Sequence, residues 1–195
     1  MLQKFNEDLL VFLNSLNSNS NIESMVWIFA DAPIFFLPIF LVSTWIFYNF
    51  NSQHEKKEML LNIFYSVVLA IIMNLIIQQI VIFDRPEEAI KWVWKLLLSH
   101  VPDASFPSDH AAVSFAFLFS LFFAGYKKIW LIFFPFVLLM NISRIIAWVH
   151  WPFDIIWWIL VWFISSFIMT DLLKEQKFVK SLNKLIIKIL HYIKL

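Results

Sequence analysis

The sequence predicts an all-α integral membrane protein of about five transmembrane helices, with amphipathic helices at its N- and C-termini. Three observations carry that expectation. Of 195 residues, 61% are hydrophobic and only 15% charged, a balance outside the soluble globular range. Apolar runs long enough to cross a bilayer recur along the chain. The lysines gather in segments that fall on one side if there are five spans, as cytoplasmic segments do.

The elements follow in order. Phe5 to Leu16 carries apolar side chains at helical spacing with a polar opposite face; it is too short to span and reads as an interfacial helix within residues 1–20. A first span is expected over Met25–Tyr48, with Asp31 and Pro33 near its start, and a second over Met59–Phe83. Asp84 to Ser105 is a polar segment predicted to hold a short surface helix. Further spans are expected from Pro107 to Ala124, from Ile129 to Trp148 and from Pro152 to Leu173; the first and last begin at prolines, which favour the first position of a helix. Residues 174–195 form a basic amphipathic tail. The whole reads as one domain, 1–195, with its motif-bearing core over 59–171.

Charge sets an orientation. Lys56, Lys57, Lys127, Lys128 and the tail lysines hold ten of the fifteen basic residues. The positive-inside rule makes their side cytoplasmic, which places the polar clusters described next at the opposite, outer face of the membrane. Net charge is +1, so no nucleic-acid partner is expected. Absence of cysteine excludes disulfides and thiolate chemistry. Lys4, Glu7 and Asp8 precede no apolar core with a small-residue cleavage site, so no cleavable signal is expected.

Ionisable residues near span ends are costly and point to function. They form three clusters: Asp84-Arg85-Pro86; Phe106-Pro107-Ser108-Asp109-His110; and Ser143-Arg144 followed by His150-Trp151-Pro152-Phe153-Asp154. Arginine grips phosphate with a fixed fork of donors, and helix N-termini present free N–H groups to anions. His150 and Asp154 are spaced so that the carboxylate can reach one imidazole nitrogen and leave the other free to attack. His110 can protonate a departing oxygen. Each residue alone also has an ordinary structural use: Asp154 and Ser108 as helix caps, Arg144 snorkelling to head groups. His100, His110, His150, Asp103, Asp109 and Asp154 offer metal-type donors, but no metal-binding spacing occurs and two arginines disfavour a cation; no metal and no cofactor are expected.

These clusters resemble the type 2 phosphatidic-acid phosphatase family of membrane lipid phosphatases. That family carries Lys, six residues, Arg-Pro; then Pro-Ser-Gly-His; then Ser-Arg, five residues, His, three residues, Asp. Arg85-Pro86, Pro107 to His110, and Ser143 to Asp154 match in order and spacing. The resemblance implies that His150 is the nucleophile, Asp154 its partner and His110 the general acid. It assigns Arg85, Ser108 and Arg144 to phosphate, with Asp109 and Gln78 at the remaining motif positions. It implies a polyprenyl or phospholipid phosphate as substrate and no metal. Two departures stand out: Gln78 replaces the first lysine, and Asp109 replaces glycine. Ser-Phe-Pro-Ser-Asp-His with a later His-Trp-Pro is similar to the bacitracin-resistance branch of undecaprenyl-diphosphatases.

A compositional anomaly remains. There is a single glycine, Gly125, against ten tryptophans, although membrane helices normally use glycine for close packing. Trp148, Trp158 and Trp162 stand where the family has glycine, and Trp157 where it has a small residue. Repeated replacement of glycine by the largest side chain predicts overpacking. Two readings fit the pattern: a gene in which UGA encodes glycine, or an aromatic-rich membrane protein with interfacial tryptophans; the scarcity of glycine favours the first.

Overall fold

Helix α1 spans Leu2–Ser15 and runs into a 3-10 turn at Leu16–Ser18. The computed structural model describes residues 1–51, 53–81, 83–86, 106 and 108–192. The surface helix expected after Asp84, with His100, Asp103, Trp92 and Trp94, lies outside the described residues, as does Pro107. The remaining helices are α2 (Ser20–Phe50), α3 (His54–Ile80), α4 (Asp109–Phe123), α5 (Lys127–Ile146), α6 (Pro152–Phe167, extended by a π turn over Ile168–Leu172) and α7 (Lys177–Tyr192). No strand occurs among the described residues.

The chain has α3, α5 and the continuous Pro152–Leu172 segment as helices long and apolar enough to cross a bilayer. Helix α2 adds a fourth span if its two segments, Ser20–Asp31 and Ile34–Phe50, count together; they meet at 46°. The bend falls between Asp31 and Ile34, where the sequence carries a proline, a residue with no N–H to bond the preceding turn. Asn19 caps α2, its side chain accepting the Asn21 N–H at 2.9 Å.

The third expected span differs from its sequence outline. Helix α4 starts at Asp109, not Pro107, and has 15 residues, about 22 Å of rise. Its start is set by Ser108, which adopts extended backbone as the N-cap, a conformation that keeps it outside the helix. Residues from Ala111 to Leu121 are buried on nearly all sides of α4, and it packs against α3, α5 and α6. A helix enclosed in this way has little contact with lipid, so bilayer thickness does not set its length.

Helices α4 and α5 end alike. After α4, the Gly125 N–H donates to Phe122 O and the Tyr126 N–H to Leu121 O, with Gly125 at φ +82°. After α5, the Trp148 N–H donates to Ile145 O and the Val149 N–H to Arg144 O, with Trp148 at φ +68°. Both are Schellman terminations, whose left-handed residue is usually glycine. A side chain at that φ costs roughly 1–2 kcal/mol. Trp148 is the one non-glycine residue with positive φ among the described residues.

The two ends of the chain dock onto this bundle. From α1, Leu10 is fully buried in the main core cluster. Asn14 and Asn17 both donate to Ile146 O, at 2.7 and 2.8 Å. Asn6 accepts the Phe153 N–H at 3.0 Å, so α1 straps the junction of α5 and α6. At the other end, Asn183 of α7 donates to Asn62 at 3.2 Å and accepts from Tyr65 at 2.9 Å. Ile187 packs there with Trp45, Leu60 and Leu61, while Phe178, Leu185 and Ile189 stay exposed, as in a helix lying at an interface.

One carbonyl with two side-chain donors makes a testable redundancy. Asn14→Ala or Asn17→Ala alone leaves Ile146 O one side-chain partner and is expected to cost about 0.5–1.5 kcal/mol. The double variant orphans that contact and is expected to cost more than the sum of the two. Denaturant titration of the detergent-solubilised protein measures the coupling.

Candidate active site

The expected site residues come from four places: the end of α3 and the segment after it, the start of α4, the end of α5, and the start of α6. Alternation of the helices brings these to one end of the bundle. Lys57, Lys127, Lys128 and the α7 lysines belong to the opposite helix ends.

Arg144 lies in the last turn of α5 and is 7% exposed. Its Nη1 donates to Asp31 Oδ1 at 2.7 Å. His110, in the first turn of α4, places Nε2 3.1 Å from the same oxygen. Two motif residues on different helices therefore converge on one carboxylate oxygen. Asp31 sits at the bend of α2, with its side chain 47% exposed beside the much more buried Arg144. Sequence reading placed Asp31 only as a charge near the start of a span. Its isolation in an apolar run was the available signal, but its partners depend on the bend.

Arg85, also buried, donates from Nη1 to Val149 O at 2.8 Å. That carbonyl immediately precedes His150. The Schellman turn at Trp148 has just reversed the chain, so His150 arrives beside the end of α5. His150 and Asp154 are both buried. Pro152 occupies the first turn of α6, as its residue type predicts. Asp154 Oδ2 accepts the Trp151 N–H at 3.1 Å, so the carboxylate also closes the helix start. The Trp151 indole donates to Asp84 O at 3.0 Å, which ties the first polar cluster to the third.

Ser108 is the cap of α4; its Oγ accepts the Ala111 N–H at 3.4 Å. Asp109 receives the side-chain amide of Asn74, and Gln78 Nε2 lies 3.4 Å from the same Asp109 oxygen. The two positions that depart from the family pattern are thus neighbours in space. Asn74, one turn before Gln78, was not singled out from sequence; a polar side chain in a long apolar run was its only mark. The structure brings together Arg144 and His110 through Asp31, Arg85 with the backbone of His150, and Gln78 with Asp109.

An apolar cavity of about 490 Å³ runs between α2 and α5. Phe36, Phe40 and Ser43 line it from α2, and Ile132, Phe133, Phe136 and Met140 from α5. Ser114 of α4 also reaches it. Ser114 is one helical turn below His110, and Met140 one turn below Arg144, so the cavity begins under the polar site.

The model of the PAP2 superfamily matches residues 59–177, which take in every motif residue named above. This chain belongs to the PAP2 superfamily. It is similar to undecaprenyl-diphosphatase BcrC of Bacillus subtilis (strain 168), at 28% identity over 160 residues, covering 80% of this chain and 79% of the relative. It is similar to the bacitracin transport permease protein BcrC of Bacillus licheniformis, at 29% over 153 residues, covering 78% and 72%. A putative undecaprenyl-diphosphatase of Escherichia coli (strain K12), YbjG, is 26% identical over 163 residues, covering 80% and 76%. No solved structure matches the chain. The matched residues begin at Met59, so α1, α2 and with them Asp31 precede the match.

Proposed function

We propose that this chain hydrolyses a membrane lipid diphosphate, undecaprenyl diphosphate, to the lipid monophosphate and inorganic phosphate. The reaction takes place at the outer face of a bacterial cytoplasmic membrane. The observation that carries the reading is the meeting of Arg144 and His110 on one anionic oxygen, with Arg85 anchored at the carbonyl before His150. Cations aimed at an oxyanion beside a candidate nucleophile are what phosphoryl transfer requires.

In this mechanism an imidazole nitrogen of His150 attacks the terminal phosphorus. The bond from phosphorus to the bridging oxygen breaks, and His110 gives that oxygen its proton as the lipid monophosphate leaves. A phosphohistidine remains. Water then attacks it, His110 takes the water proton, and inorganic phosphate departs as His150 regains its free nitrogen. Arg85 and Arg144 balance charge on the transferring group, and the N–H groups of the first turn of α4, at Asp109 and His110, add donors. Gln78 supplies a neutral donor in place of a lysine. No step calls on a metal or a cofactor. The lysine-bearing helix ends support the outward orientation, because they lie opposite the site.

His150→Ala is expected to lower phosphate release from the solubilised protein about 10,000-fold or more, with chelator leaving wild-type turnover unchanged. Wild-type activity in His150→Ala would sink the mechanism. Trp148 beside the nucleophile and Gln78 at a lysine position favour a second reading, a lipid-phosphate binder without turnover; wild-type protein that binds but releases no phosphate would support it. A panel including phosphatidate and phosphatidylglycerophosphate separates the lipid classes.

The cavity between α2 and α5 offers the lipid chain an apolar path from the site. Ser43→Phe is expected to raise KM for a long polyprenyl diphosphate several-fold while leaving a water-soluble short-chain diphosphate unaffected. Equal effects on both substrates would place the chain elsewhere.

A further inference from the structure

We infer that positions 148, 158 and 162 are glycine in the protein its source organism makes. The backbone argues for position 148 without reference to any relative. Gly125 and Trp148 fill the same place in the same helix termination, with the same pair of hydrogen bonds and φ values of +82° and +68°. Glycine enters that conformation freely, whereas a bulky residue there is an outlier.

Packing argues separately for the other two positions. Trp158 and Trp162 lie one turn apart on α6, stacked with ring centroids 5.6 Å apart, and are 1% and 0% exposed. Neither indole N–H has a hydrogen-bond partner among the described residues, although buried tryptophan normally finds one. Trp151 provides the contrast, since its indole donates to Asp84 O. The row continues to Ser166, whose Oγ donates to Ala116 O at 2.9 Å. The facing row on α4 reads Ala112, Ala116, Ser120, all fully buried. Small residues four apart on both of two contacting membrane helices let their backbones approach closely, and glycine at 158 and 162 completes that pattern on α6. UGA differs from the tryptophan codon UGG by one base. Reading UGA as glycine therefore accounts for the excess of one residue and the scarcity of the other together.

The test reads the gene and the protein. UGA codons at 148, 158 and 162, with peptides from the source cells lighter by one indolylmethyl group per position, are expected. UGG codons, or peptides of tryptophan mass, overturn the inference. Trp148→Gly in the recombinant chain is expected to raise the thermal midpoint; a lower midpoint counts against the backbone argument. Trp158→Gly combined with Trp162→Gly is expected to leave the chain folded, since the facing α4 row is small; aggregation of that variant alone counts against the packing argument.

A second inference concerns Asp31 and rests on the phosphatase reading. We propose that Asp31 is a displaceable stand-in for a phosphate oxygen. It makes the contacts a phosphate oxygen would make with Arg144 and His110, at 2.7 and 3.1 Å. Its side chain is 47% exposed against 8% for Arg144, and it is carried at the bend of α2. The carboxylate holds both side chains in gripping rotamers and yields to the incoming anion. Orthovanadate binding, measured by calorimetry, needs no turnover. It therefore reports on Asp31 whether or not the wild-type chain releases phosphate. Asp31→Asn is expected to tighten vanadate binding roughly five-fold, the effect of removing one unit charge at solvent-screened contact distance. Unchanged or weaker binding overturns the proposal.

Discussion

The reversal of the chain after α5 is the constraint on which the site depends. Within seven residues the backbone must end a helix carrying Arg144, turn, and begin another carrying Asp154 with His150 between them. The Schellman turn at Trp148 accomplishes this, and three other parts of the molecule hold it in place. Asn14 and Asn17 secure the Ile146 carbonyl on one side of it. Arg85 secures the Val149 carbonyl on the other. Asn6 accepts an N–H at the start of α6. A helix C-terminus leaves carbonyls without internal partners; here that of Ile146 is an attachment point for α1, and the Val149 carbonyl just past the turn is one for the arginine after α3. Fixing the turn thus also fixes the arginine and the histidine relative to one another.

Much of this was legible in the chain because the relevant signals are local. Apolar runs located α2, α3, α5 and α6, and Pro152 marked the start of α6 from its residue type alone. The spacing from Ser143 to Asp154 sufficed to indicate one compact constellation. What was not legible depends on tertiary geometry. The partners of Asp31 follow from a bend whose angle no residue count supplies. The start of α4 moved because Ser108 caps where Pro107 was expected to begin, and both residues are valid start signals. Helix α1 read as an interfacial amphipath, which its exposed Phe5 and Phe12 agree with; its asparagines gave no hint that they would reach a carbonyl some 130 positions away.

Membrane helices without a hydrophobic drive toward one another rely on shape and on polar contacts, and both are visible at either end of this bundle. Asn183 with Asn62 and Tyr65 performs at the lysine-bearing end what Asn14 and Asn17 perform at the other. Between them, α4 lies enclosed with alanines and serines on the face toward α6. That face can accept a close neighbour, yet α6 presents two stacked indoles to the same core. The mismatch is one of volume, and it coincides with the one strained backbone angle among the described residues. The strained backbone and the bulky pair facing small residues both involve tryptophan.

The charge of the site bears on how an anion could enter it. Arg85 and Arg144 contribute two positive charges, while Asp31, Asp109 and Asp154 contribute as many as three negative ones. Gln78 brings none where a lysine would add one, and Asp109 adds one where glycine would bring none. Its neighbours Asn74 and Gln78 orient Asp109 with neutral amides rather than neutralising it. A multiply charged phosphate could therefore not be drawn in by net charge alone. It would have to be recognised by direction: fixed arginine forks, the N–H groups of two helix starts, and the removal of a competing carboxylate. Asp154 is already turned toward the backbone of Trp151, and Asp109 toward the amides of α3. Asp31 meets both Arg144 and His110. It is carried on α2, which precedes the residues matched by the family model, so the affinity of such a site could be adjusted there without altering the motif residues.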